Sequence, residues 1–161
     1  MNYLLDQMPD EARLWVYQSE RQFTGDELEV IKEKIEFFLF SWAAHGTSLK
    51  PAYRIVHNQV IVLAVDEVRH WASGCSIDDS VNFIRSLEKE LGLSLLDRGQ
   101  LGFLINDRLV IKPLKFIKAA IESGQIKSDD ILLNNAVADV GSFKNSWEQR
   151  VDNSWLKRYL A

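Results

Sequence analysis

Val60-Ile61-Val62-Leu63-Ala64-Val65 is six consecutive apolar residues, four of them β-branched, without the polar alternation of a half-exposed strand. A run this short and continuous reads as a strand covered on both faces. It predicts the middle of a sheet with material packed on either side. Ala52 to Val56 precedes it across His57-Asn58-Gln59, where Asn58 can take a positive φ, so the two runs form a hairpin. Further upstream, Arg13-Leu14-Trp15-Val16-Tyr17-Gln18 places Leu14 and Val16 on one face and Trp15 and Tyr17 on the other. This is a third strand.

Helical periodicity fills the gaps between these strands. Thr24-Gly25-Asp26-Glu27 follows the capping-box pattern, and Leu28, Ile31, Ile35, Phe38, Leu39 and Trp42 then recur at steps of three and four up to the stop at Gly46. Ser76-Ile77-Asp78-Asp79 is a second capping signature, followed by Ile77, Val81, Ile84, Leu87 and Leu91, with Gly92 as terminator. Gln100 to Ile105 and Arg108 to Lys112 flank the turn dipeptide Asn106-Asp107, giving a second hairpin. Pro113 opens a helix with Leu114, Ile117, Ala120 and Ile121 inward and Gly124 at its end. Beyond Ser128, residues 130–140 fit either a helix or a strand and loop, while 142–149 and 154–160 read as short terminal helices.

The expected fold is α+β, with a mostly antiparallel sheet covered by two long helices. The order is the ferredoxin-like βαββαβ, followed by an extra hairpin strand and C-terminal helices. No repeat, low-complexity tract or Pro-rich linker divides residues 1–161, so one domain is expected.

Composition narrows the function. The chain has 161 residues, 47% hydrophobic and 26% charged, enough for a core without disulfide or metal staples. A net charge of −4 repels polyanions, which argues against nucleic acid as a partner. There is no signal-like N-terminus and no apolar run near the ~18 residues of a membrane helix. A single cysteine cannot close an internal disulfide and fits a reducing compartment, so a cytoplasmic, non-inserted protein is expected.

The segment Asp66 to Ser76 gathers the chain's only thiol, a histidine, two carboxylates and small residues ahead of a helix. Amides at a helix N-terminus carry partial positive charge and can hold an anion or lower the pKa of a thiol. Cys75 is therefore a candidate nucleophile, with His70 as base and Asp66 or Glu67 orienting the imidazole. Ser73, Gly74 and Ser76 are candidate ligand-binding residues. A surface helix dipole contributes about 0.3 to 1 kcal/mol, against about 1.36 kcal/mol per pKa unit, so it lowers a thiol from about 8.5 by less than one unit. Asp78 and Asp79, read as first-turn residues, oppose even that. A small apolar Cys75, a turn-forming Gly74 and a capping Ser76 form the simpler reading.

Other candidates have structural explanations. His45 suits a helix C-terminus, and His57 falls in a turn. No histidine pair has metal spacing, so no metal or cofactor is expected. Arg108, Lys112, Lys115 and Lys118 read as a solvated face. Trp147, Trp155 and Tyr159, interleaved with Arg150, Lys157 and Arg158, read as aromatics docking a terminal helix.

The stretches W-V-Y-Q-S-E-R-Q-F-T (15 to 24), A-H-G (44 to 46), A-V-D-E (64 to 67), A-S-G-C-S-I-D-D-S-V-N-F-I (72 to 84), K-P-L (112 to 114) and Ser154-Trp155 resemble a family of small bacterial proteins often labelled "ABC transporter ATPase". The resemblance covers nearly the whole chain and implies no particular fold, substrate or catalytic residue. ATP hydrolysis of that type needs G-x-x-x-x-G-K-[ST] after a strand, and the sequence contains no such segment. Ser73-Gly74-Cys75-Ser76 lacks the second glycine and the lysine, and Ser123-Gly124-Gln125 is only a short echo of the ABC signature.

The expected function is that of a non-enzymatic module binding a small molecule or a protein, with a second copy of the chain as one candidate partner. The alternative is a cysteine-dependent hydrolase or transferase built on Cys75 and His70.

Overall fold

The computed structural model describes residues 4–45, 49–67 and 74–160. β1 (Arg13–Gln18), α1 (Gly25–His45), β2 (Leu49–Val56), β3 (Val60–Glu67) and α2 (Gly74–Leu91) form the first part of the chain. β4 (Gln100–Ile105), β5 (Arg108–Pro113), α3 (Ile117–Glu122), β6 (Ile131–Leu133), α4 (Val140–Ser146) and β7 (Glu148–Arg150) form the second, and a 3-10 helix over Trp155–Tyr159 follows. The fold is α+β with two antiparallel sheets, ordered β1-β3-β2 and β5-β4-β6-β7.

β3 is the middle strand of the first sheet, and Val60 to Val65 are all fully buried. Its side chains divide by parity. Ile61, Leu63 and Val65 meet Tyr17 and the α1 and α2 residues Ile31, Ile35, Leu39, Ile84 and Leu87. Val60, Val62 and Ala64 pack the other way, with Leu14, Val16, Leu133, Val140 and Phe143. A third core, centred on Phe103, lies under α3 and the last 3-10 helix.

Local signals explain the element ends. The Thr24 hydroxyl accepts from the Glu27 amide at 3.1 Å, and the Glu27 carboxylate accepts from the Thr24 amide at 2.9 Å, so the capping box forms. Gly92, at φ 65°, ends α2 while the Leu93 amide reaches back to the Glu88 carbonyl, a Schellman-type closure. Both hairpins turn through paired positive-φ residues, His57-Asn58 and Asn106-Asp107, the geometry that matches strand twist.

Several expectations are corrected. β4 does not join β1 to complete a single ferredoxin-like sheet. Its two edges are taken by β5 and β6. The outer edge of β1 is met instead by an Ala138 carbonyl accepting from the Leu14 amide at 3.0 Å, by a bridge between Arg13 and Asp139, and by the Arg98 guanidinium on the Val16 carbonyl. α2 starts at Gly74, so Ser76 lies inside the helix and Asp78 and Asp79 fall beyond its first turn. Pro113 ends β5, an edge strand that tolerates a missing amide donor, and Leu114 is exposed. Residues 142–149, read as one short helix, divide between α4 and β7, whereas residues 130–140 take the strand-and-loop alternative, with β6 and a loop.

Candidate functional site

Of the site residues singled out in the sequence, the described ones fall at the end of β3 and the start of α2. Asp66 is half-buried near the end of β3, opposite Lys50 of β2, and Glu67 ends that strand. Gly74, Cys75 and Ser76 open α2. His70 and Ser73 lie outside the described residues, so the pairing of Cys75 with His70 is not among the geometry described. Among the described residues, no three His, Cys, Asp or Glu side chains converge as a metal site, and no helix is long and apolar enough to cross a membrane.

A different site lies where the two sheets fail to merge. The outer edge of β1 and the β4–β6 side of the second sheet enclose a cleft of about 620 Å³. Its lining sets the polar Gln18, Asp97, Arg98, Asn134, Asn135 and Gln149 beside apolar residues that include Leu132, Leu133 and Trp155. Those residues come from separate parts of the chain, which is why no local motif announces them.

Gln18 spans the cleft at one end. Its Nε2 donates to the Gln100 carbonyl at 3.2 Å, and its Oε1 accepts from Asn135 Nδ2 at 3.0 Å. Asn135 Oδ1 in turn accepts from the Trp147 indole at 2.8 Å, so a polar relay ties β1 to both halves of the second sheet. Gly102 makes room for it, because a Cβ there would collide with Gln18 Oε1. The relay also fixes which way both amides point.

Arg98 lines the cleft beside Asp97. It donates through Nη1 to the Val16 carbonyl at 3.1 Å, with its guanidinium carbon 6.0 Å from the Tyr17 ring centre. Burial pushes the Tyr17 hydroxyl up in pKa, partly offset by its hydrogen bond with Ser80 and by the Arg98 charge. Asp97 holds the preceding turn by accepting from the Gly99 amide at 2.8 Å. A guanidinium has five N–H donors, so one bond to Val16 leaves it able to meet an acceptor on a ligand. The cleft can therefore hold and orient a polar molecule, and among the described residues its lining does not pair a hydroxyl or thiol with a base.

Gly102 was the one legible signal for this site, since an isolated glycine inside a strand marks close backbone approach. Gln18, Arg98 and Asn135 carry no such mark. No family model, no curated protein and no solved structure matches this chain.

Proposed function

We propose that the protein is a non-enzymatic binding module whose inter-sheet cleft takes a small molecule bearing a carboxylate or carboxamide. The observation behind it is the cleft of about 620 Å³ along the outer edge of β1, lined by both polar and apolar side chains and within the range of about 300 to 1,000 Å³ usual for small-molecule sites. Arg98 supplies a cation in the lining, and Asn134 and Gln149 bring amides that can donate and accept. The Gln18 relay holds the walls in place before a ligand arrives, which reduces the ordering cost of binding. ATP hydrolysis is not part of this reading, because the sequence has no phosphate-cradling loop. A cytoplasmic setting belongs to the same proposal and rests on the single cysteine.

The test is a thermal-melt panel of small carboxylic acids and carboxamides on the wild-type protein and Arg98→Met. A ligand at about 100 times its Kd stabilises by about 2.7 kcal/mol, which is easily read. The expected result is a shift for one chemical group of compounds that Arg98→Met loses. A panel with no shift, or an unchanged response in Arg98→Met, overturns the proposal.

A further inference from the structure

A second concave surface lies between α1 and α2, and its lining shares no residue with the first cleft. It encloses about 930 Å³ and is lined from Val30 to Trp42 on one helix and from Asp79 to Glu90 on the other. Each lining stretch covers about three turns, or ~18 Å of helix, so the surface is an elongated groove. Its floor is aromatic: Phe38 stacks on Phe83 with centroids 4.5 Å apart and on Trp42 at 5.2 Å. Phe37 lines the groove and is 74% exposed, and Phe40 on the same helix is 56% exposed. An α1 face that carries phenylalanines into solvent costs solubility unless something covers it.

Charge selects the occupant. Of the four charged lining residues, Glu33, Asp79 and Glu90 are acidic, and the one cation, Lys34, is tied to Glu90 at 2.9 Å. A second copy docking face to face would set acidic rim against acidic rim, which is unfavourable. A groove of this length between two helices fits a third helix laid along it, with apolar residues at steps of three and four. We infer that the α1–α2 groove binds an amphipathic helix of a partner protein, its apolar stripe over Phe37, Phe38 and Phe83 and its flanks carrying Lys or Arg against Glu33 and Asp79. This goes beyond the cleft proposal and uses none of its residues.

The probe is a synthetic amphipathic Leu/Lys peptide with leucines at helical spacing, compared with its Leu/Glu counterpart, titrated calorimetrically into the full chain. The expected result is saturable binding of the Leu/Lys peptide alone. Phe37→Asp and the double variant Glu33→Lys/Asp79→Lys should each weaken it about tenfold or more. Asp129→Lys, an exposed charge outside the groove lining, should leave it unchanged. All these substitutions are at exposed positions, and unchanged melting curves verify folding. Equal binding of both peptides, equal loss in Asp129→Lys, or no binding overturns the inference. A wild-type dimer that Phe37→Asp dissociates also overturns it, by making a second copy the occupant.

Discussion

The tip of the Gln18 amide lies where a Cβ at position 102 would stand, so the bare backbone of Gly102 leaves room for the side chain whose Nε2 ties β1 to the Gln100 carbonyl of β4. Two sheets are thereby held at a fixed separation, and the gap between them becomes the cleft.

Gly102→Ala should displace the Gln18 amide and break its bonds to Gln100 and Asn135. A destabilisation of about 1 to 3 kcal/mol is expected from denaturant unfolding. The double variant Gln18→Ala/Gly102→Ala should cost less than the two single changes added together, because the clash disappears with the amide. Strict additivity would contradict the contact.

Leu63→Ala should cost about 2 to 5 kcal/mol, since Leu63 is fully buried between β3 and the two long helices. Phe37→Ala, at an exposed position, should stay within about 0.5 kcal/mol. Chemical denaturation of both variants separates the residues that hold the fold from those displayed to a partner.

The pH dependence at the start of α1 has a defined sign. Arg21 pairs with Glu27 at 2.8 and 2.9 Å, and together with the Thr24 amide it lowers the Glu27 carboxyl from 4.5 to about 2. A depressed carboxyl stabilises the fold above its unfolded value and loses that contribution as pH falls from about 4.5 through about 2. Solvent at the site makes the effect small. The stability gap between wild type and Glu27→Gln should be full at neutral pH and close towards pH 2. A gap that is constant with pH would contradict the ion pair.

Cys75 tests the enzymatic alternative. A binding module has no need of an activated thiol, so alkylation of the folded chain should be no faster than that of the unfolded chain at the same pH. A fast reaction with an apparent pKa well below about 7 would instead support a nucleophile assisted by a nearby cation.

The first sheet was legible because its signals are local. Val60 to Val65 announce burial on both faces, Thr24 and Glu27 cap each other within one turn, and Asn58 and Asn106 sit at positive φ in connections of three and two residues. The position of β4 was not legible, since it depends on competition between edges. β6 is only three residues long, yet it pairs with β4, while the Ala138 carbonyl and Arg98 meet the outer edge of β1. The same competition hid the cleft, whose relay joins Gln18 to a residue 117 positions away. The Ser76 cap failed for a local reason: two further residues, Gly74 and Cys75, take helical conformation ahead of it.

The most direct test of the cleft is a backbone amide shift map of the isotope-labelled protein, recorded with the carboxylate or carboxamide that most raises its melting temperature. The expected shifts concentrate at Gln18, Arg98, Gly102 and Asn135. Shifts confined to the α1–α2 groove, or scattered without saturation, would contradict a binding site between the two sheets.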